Sequence, residues 1–142
     1  MDTASSKHPK YDQADAICAH VLEAKDRVLN FFGVGLLESL YRKTLAHALR
    51  NMGHKVEEEK RINVVFEGKT FDDILLRPDL VIDDCLVVEL KSLSTAITID
   101  HIKQTLSYMK LLDAPLGLIL NFGACNPKEK RFRRVILAGA NG

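Results

Sequence analysis

The chain has 142 residues, of which 46% are hydrophobic and 27% are charged, and its formal net charge is +1. This length is typical of a single domain, and the balance of hydrophobic and charged residues excludes a chain that is disordered throughout. A net charge so close to zero neither indicates nor excludes a nucleic-acid partner, because a local basic patch is sufficient for binding.

The cysteines and the apolar runs indicate an intracellular, soluble protein. Cys18, Cys85 and Cys125 form no C-x-x-C pair and have no accompanying histidine cluster. This pattern is typical of reduced thiols rather than of a disulfide framework or a zinc site. The N-terminus lacks a signal-peptide-like apolar stretch, and no apolar run approaches the roughly 20 residues of a membrane span. We therefore expect a cytoplasmic protein that does not interact with membranes.

The first third of the sequence predicts a tail and two helices. Residues 1–10 are polar and predict a flexible N-terminal tail, which leaves residues 11–142 as a single domain. Apolar residues recur at three- and four-residue spacing over residues 12–32, which predicts a helix that ends at two nearby glycines. A second helix is expected over residues 36–52, with Gly53 placed to cap it.

The spacing of apolar residues then changes to the alternation that is typical of strands. Residues 56–66 predict one strand, and residues 70–82 and 85–92 predict two more. A third helix is expected to end at Leu112, with Thr98 or Asp100 as its N-cap.

The C-terminal part adds two strands to this order. Residues 116–122 predict a buried strand, and residues 131–137 predict a final strand at a sheet edge. The resulting order, α-α-β-β-β-α-β-β, predicts an α/β fold in which helices flank a small mixed sheet.

Charged residues interrupt the apolar hairpin "RPDLVIDDCLVVELKS", residues 77–92. Side chains alternate between the two faces of a strand, so Glu89 and Lys91 share one face. A turn of about three residues centred on Asp84 pairs Asp79 directly with Glu89, with Cβ atoms roughly 5 Å apart. Two carboxylates and a lysine are therefore expected to meet on one face of the sheet.

Two interpretations of this cluster follow from the residues alone. Two facing carboxylates repel each other, and a divalent cation such as Mg²⁺ removes the repulsion, with the backbone carbonyl of Leu90 as a further oxygen ligand. Lys91 is then placed to orient or deprotonate a water molecule. The alternative is an ion pair of Lys91 with Asp79 or Glu89 at the sheet edge, which contributes little to stability.

The spacing of these residues resembles a known nuclease motif. "PD" at 78–79, nine intervening residues and "ELK" at 89–91 resemble the PD-(D/E)xK motif of the restriction-endonuclease-like superfamily. The resemblance implies a restriction-endonuclease-like core. It also implies a metal site for Mg²⁺ or Mn²⁺, with one or two ions, in which Asp79, Glu89 and Lys91 are catalytic.

A second segment resembles one family within that superfamily. "GLLESLY", residues 35–41, resembles the G-x-x-E-x-x-Y signature of the GxxExxY family. The resemblance implies that Glu38 joins the metal-site acids, directly or through water, and places Tyr41 among the substrate-positioning residues. Without the resemblance, Glu38 is an ordinary first-turn glutamate and Tyr41 a core tyrosine.

Two further segments strengthen the resemblance. "QTLSY", residues 104–108, resembles the Q-x-x-x-Y of RecB-like members and implies that Gln104 and Tyr108 position the substrate; His101 opens the same helix. "RFRRVIL" resembles the basic C-terminal end of the family, where Arg133 or Arg134 is expected to contact phosphates. A solvated edge strand is the alternative for these basic residues.

Taken together, these features lead us to expect a Mg²⁺-dependent nuclease that hydrolyses DNA. RNA is not excluded as a substrate. The chain contains no separate target-recognition domain, so a second copy or a partner protein is expected to complete the binding surface. The alternative is a catalytically silent nuclease-like domain that binds nucleic acid or a protein partner.

Overall fold

A computed structural model describes residues 6–123 and 131–142, and within them two helices are followed by five strands, a third helix and two further strands. The helices are α1 (Tyr11–Phe32), α2 (Glu38–Asn51) and α3 (Ile99–Leu112). The strands are β1 (Val56–Glu58), β2 (Val65–Phe66), β3 (Lys69–Thr70), β4 (Leu80–Ile82), β5 (Leu86–Lys91), β6 (Leu116–Asn121) and β7 (Phe132–Ile136).

Five of the strands form a mixed sheet in the order β1-β4-β5-β6-β7. Strands β5 and β6 are parallel and are connected through α3, whereas the other neighbours are antiparallel. The predicted α/β fold is confirmed, and β7 lies at a sheet edge as expected.

The region before the motif hairpin contains more strands than the sequence predicted. Residues 56–66 hold β1 and β2 instead of one strand, and residues 70–82 hold the end of β3 and then β4. Strands β2 and β3 pair only with each other, as a separate two-stranded hairpin. The prediction was wrong here because alternation of side chains does not reveal which strand a segment pairs with.

The sheet separates two apolar layers. Helices α1 and α2 cover one face, where side chains such as Leu86, Val88 and Leu118 are buried. Helix α3 covers the other face, where Tyr108 and Met109 pack against strand residues such as Val87. The motif strand β5 therefore lies between helices on both sides, which explains why its residues 86–90 are all buried.

The N-terminus of α3 is capped as the sequence predicted. The Thr98 hydroxyl accepts a hydrogen bond from the backbone N–H of His101, and the His101 ring accepts one from the backbone N–H of Thr98. This reciprocal arrangement satisfies two backbone donors that a helix start otherwise leaves unpaired. It also fixes the orientation of the His101 ring.

Several expectations fall partly outside the described residues. Residues 1–5 of the expected tail and Cys125 lie there. Within the described part, His8 donates its backbone N–H to the carbonyl of Ala140, and Cys18 and Cys85 are buried free thiols. None of the helices in the described ranges combines the length and apolar composition needed to cross a membrane.

Candidate active site

The β4–β5 hairpin places Asp79 opposite Glu89. Leu80 pairs with Val88 and Ile82 with Leu86, so the same register continued by one residue brings Asp79 and Glu89 together. The connection is a three-residue turn centred on Asp84, which is the turn that the sequence predicted. Its first two residues adopt left-handed backbone conformations, with φ of 50° and 57°, which aspartate tolerates better than most residues.

Reciprocal hydrogen bonds join the two acidic residues. The backbone N–H of Asp79 donates to Oε2 of Glu89 over 2.7 Å, and the backbone N–H of Leu90 donates to Oδ2 of Asp79 over 2.8 Å. Each carboxyl group is therefore fixed by the strand opposite its own. Glu89 is only 4% exposed and Asp79 is half-buried, so the carboxyl group of Glu89 is not part of a solvated ion pair at the sheet edge.

Burial and the neighbouring carboxylate raise the pKa of Glu89 to about 9. Hydrogen bonds between the two carboxyl groups favour the protonated form further, whereas the backbone N–H of Asp79 and the charge of Lys91 oppose the shift. Without a bound cation, the pair therefore retains a proton at neutral pH. A divalent cation supplies the positive charge that this proton provides, so the carboxyl pair fits a metal site.

Lys91 lies on the same face of β5 as Glu89, two residues further along the strand. Its side chain is half-buried, and its charge acts on Glu89 and on His101 of α3. Burial and the charge of Lys91 lower the pKa of His101. The ammonium group is therefore close enough to both Glu89 and His101 for its charge to act on each of them.

Glu38 lies near this cluster but does not complete it. It is the first residue of α2, its side chain is exposed, and Oε2 accepts a hydrogen bond of 3.1 Å from the backbone N–H of Ser92. Within residues 6–123 and 131–142, no three Asp, Glu, His or Cys side chains are grouped closely enough to hold one metal ion. Glu38 is held by Ser92 at the end of β5, and the expectation that it joins the metal-site acids, directly or through water, stays a prediction.

The side chain of Tyr41 is bonded to the loop before α2. Its side chain is fully buried and stacks on Phe122, with ring centroids 4.4 Å apart. Its hydroxyl donates to the carbonyl of Gly33 over 2.7 Å and accepts from the backbone N–H of Leu36 over 3.0 Å. A substrate-positioning role for Tyr41 by direct contact does not fit this burial, so we assign it to positioning the loop that leads to Glu38.

The two α3 residues of the QTLSY segment differ in exposure. Tyr108 is 4% exposed, and burial followed by the charges of Glu89 and Asp79 raises the pKa of its phenol. Its hydroxyl also interacts with the backbone of Arg77, so it lies beside the carboxyl pair. Gln104 is exposed one helical turn nearer the N-terminus of α3, where solvent and a substrate can reach it.

The two arginines of β7 lie on opposite faces of the sheet. Arg133 pairs with Ile119, so it faces the α3 side, and it is exposed. Arg134 faces α1, where its guanidinium group donates to the hydroxyl of Tyr11 and to the carboxylate of Asp15. Arg133 therefore remains a candidate for phosphate contact on the site side, whereas the expectation for Arg134 is corrected, since α1 residues occupy its donors.

The family model of the PD-(D/E)XK nuclease superfamily matches residues 15–135, which include the whole site. The chain belongs to the PD-(D/E)XK nuclease superfamily. The crystal structure of SSO0001 is similar in fold, with a TM-score of 0.51 and 21% sequence identity over 70% of this chain. The matched region covers 50% of that protein, so this chain spans about half of its length. No curated protein matches.

One residue that holds the PD-(D/E)XK site in place was missed in the sequence. Asn121, at the end of β6, is fully buried, and its side-chain carbonyl accepts hydrogen bonds from the backbone N–H groups of Leu93 and Gly123. Its amide donates to the carbonyl of Thr95. Asn121 therefore fixes the chain just after Lys91. The sequence feature that could have indicated this role is a single amide side chain within the otherwise apolar segment "LILNF".

Proposed function

We propose that this chain is a Mg²⁺-dependent nuclease that hydrolyses DNA, and that it belongs to the GxxExxY group of its superfamily. The observation that carries the proposal is the pair formed by half-buried Asp79 and buried Glu89, which two reciprocal hydrogen bonds fix and which Lys91 follows two residues after Glu89. A fold built only for stability gains nothing from a buried glutamate that faces a half-buried aspartate, because desolvation and repulsion both destabilise the pair.

Asp79, Glu89 and the backbone carbonyl of Leu90 are the residues that would hold the metal ion. They are hard oxygen donors, which Mg²⁺ and Mn²⁺ prefer, and the two carboxyl groups are already close enough to share a proton. Glu38 would act through water, since it lies at Ser92 and not within the pair. A bound ion would stabilise negative charge on the phosphate and acidify a water molecule.

Side chains of the protein orient the water molecule, contact the substrate and exclude solvent. The half-buried ammonium of Lys91 orients the attacking water and stabilises the charge that develops on the phosphate oxygens. Gln104 donates or accepts at the exposed rim of α3, and Tyr108 excludes water beside the carboxyl pair. Arg133 contacts a phosphate further along the strand.

Cleavage assays with labelled DNA test this proposal. The substrates are linear, nicked, branched and single-stranded DNA, each incubated with Mg²⁺, with Mn²⁺ or with a chelator. We expect metal-dependent cleavage by the wild type, at least ~100-fold slower cleavage by Lys91→Ala, and unchanged cleavage by Lys110→Ala. Lys110 is a matched control because it is an exposed lysine in the last turn of α3.

Two outcomes would contradict the proposal. Equal cleavage by the wild type and by Lys91→Ala would show that the measured activity does not arise at this site, as with a contaminating nuclease. Absence of cleavage of every DNA substrate, with either metal, would favour a silent domain that binds nucleic acid or a protein partner.

A further inference from the structure

The end of α1 and the loop that leads to α2, residues 31–37, expose a contiguous set of apolar side chains to solvent. Phe31 and Leu37 are each 76% exposed, and the three other large side chains are 37–40% exposed. We call this segment the apolar loop. Single exposed apolar side chains are ordinary, but a contiguous group marks a surface that binds something.

The apolar loop is held in place by hydrogen bonds on both of its sides. The Gly33 carbonyl and the Leu36 N–H are both bonded to the Tyr41 hydroxyl, and the Gly35 N–H donates to the carbonyl of Phe122 over 2.9 Å. Gly33 and Gly35 have φ of 79° and 81°, a conformation that other residues adopt only at a cost. The exposure is therefore built into the fold.

The apolar loop forms one wall of an open cavity beside the candidate active site. The cavity has a volume of about 740 Å³ and is lined by Gly35, Leu36, Leu37, Glu38, Leu40 and Ser92. Ser92 directly follows Lys91 in the chain, and it is the residue whose N–H holds Glu38. The cavity therefore lies beside the end of β5, next to Lys91 in the chain.

The chemistry of the lining excludes a phosphate and favours an uncharged, flat group. Of the lining residues that the structure describes, only Glu38 is charged, and its carboxylate repels phosphate, whereas the large lining side chains are leucines. Nucleobases are the uncharged, largely apolar faces of a nucleic acid, and proteins hold them between apolar or aromatic side chains.

We infer that this cavity binds the base of a nucleotide next to the scissile phosphate, so that the enzyme acts on DNA that is unpaired at that point. The inference rests on the proposed nuclease function. A base inside an intact duplex is stacked and paired, and cannot enter a side cavity unless it is first extruded. Single strands, splayed ends and junctions present such a base without this cost.

A second copy of the chain is the other occupant to consider. The position of the cavity favours DNA, because two of its lining residues are Ser92, which directly follows Lys91, and Glu38, which the proposed function assigns to the metal-site acids. A protein bound in the cavity would cover Glu38. The oligomeric state of the variants below tests this alternative.

The experiment compares strands that differ only in their bases. Binding of the full-length protein is measured by fluorescence anisotropy with Ca²⁺ in place of Mg²⁺, using a labelled single strand, an abasic strand of equal length, and the matching duplex. We expect the wild type to bind the single strand roughly five- to tenfold more tightly than the abasic strand. The variant Leu37→Ser should lose this preference. The control is Leu111→Ser, at an exposed leucine in the last turn of α3, and it should keep the preference.

Each outcome decides between the alternatives. Equal affinity for the single strand and the abasic strand would overturn the inference, as would tighter binding of the duplex than of the single strand. A change of oligomeric state in Leu37→Ser, with unchanged DNA binding, would assign the cavity to a second copy. Base-dependent binding without cleavage by any metal would instead contradict the proposed nuclease function and leave the base site standing.

Discussion

Oε2 of Glu38 accepts a hydrogen bond of 3.1 Å from the backbone N–H of Ser92, and this contact joins the first turn of α2 to the end of the motif strand β5. The two residues are 54 positions apart in the chain. The contact gives Glu38 two separable properties: an acceptor that fixes the segment after Lys91, and a negative charge beside the site.

The variants Glu38→Gln and Glu38→Ala separate these two properties. Glutamine keeps a side-chain oxygen for Ser92 but loses the charge, whereas alanine loses both. We expect both variants to cleave DNA more slowly than the wild type. Only Glu38→Ala should also lose stability, by about 0.5–1 kcal/mol in urea unfolding. Full cleavage activity in Glu38→Gln would show that the charge of Glu38 has no part in the reaction.

Asp79 is expected to be essential for stabilisation by metal. A ligand that binds only the folded state raises stability by about 2.7 kcal/mol at a hundredfold excess over its dissociation constant. Thermal melting of the wild type should therefore shift upward with Mg²⁺ or Mn²⁺, and the shift should vanish in Asp79→Asn. Asp26→Asn, at an exposed aspartate of α1, is the matched control. A shift of equal size in Asp79→Asn would place the ion elsewhere.

The raised pKa of Glu89 makes the stability of the metal-free protein fall as pH rises. The carboxyl group has a pKa of about 9 in the folded state, against the ordinary value of 4.5 for an exposed glutamate. The folded state therefore retains a proton that the unfolded state has released. The stabilisation is fully present below about 4.5 and is lost as pH approaches about 9.

Urea unfolding in the presence of a chelator, measured across this pH range, checks this expectation. Glu89→Gln has no carboxyl group to titrate, so it should flatten the decline and be more stable than the wild type at the alkaline end. A wild-type curve that rises with pH over the same range would contradict the assignment.

Tyr41→Phe should loosen the apolar loop without disturbing the ring stack on Phe122. The substitution removes the hydroxyl that serves both the Gly33 carbonyl and the Leu36 N–H. Leaving these groups without their partner should cost about 1–3 kcal/mol in urea unfolding. Limited proteolysis should cut the variant within residues 33–37 faster than the wild type. Unchanged stability and unchanged proteolysis would show that water replaces the hydroxyl.

Gly123→Ala should be more disruptive than its small size suggests. A Cβ atom at this position would lie 1.9 Å from the backbone oxygen of Leu93, and backbone cannot rotate away. Gly117→Ala is the comparison, because its Cβ would meet the side chains of Met109 and Thr105 at 2.8 Å, and Met109 is flexible. We expect Gly123→Ala to lose more than about 3 kcal/mol and Gly117→Ala to lose about 1–3 kcal/mol, measured by urea unfolding.

The sequence predicted the hairpin register because local rules determine it. Alternation assigned Glu89 and Lys91 to one face, and a three-residue turn then left a single pairing for Asp79 that agreed with every apolar position. The start of α3 followed from an equally local signal, the Thr98 cap.

Tyr41, Arg134 and Asn121 show where local rules are insufficient. A tyrosine on a helix has the same pattern whether its hydroxyl meets a substrate or a backbone carbonyl. The face that Arg134 occupies depends on the strand that β7 pairs with. The structural role of Asn121 is to bond the segment after Lys91, and that segment lies next to Asn121 only in the folded chain.

The length of the turn at residues 83–85 determines which residues pair at the opposite end of the hairpin, where Asp79 and Glu89 lie. Inserting a single residue there would slide Asp79 one step along β5, so that it faced Leu90 instead of Glu89. Its carboxylate would then point through the sheet into the layer beneath α1 and α2, and the carboxyl pair would be lost although no acidic residue had been altered. Loop length at this turn is therefore under as tight a constraint as the identity of the acids themselves.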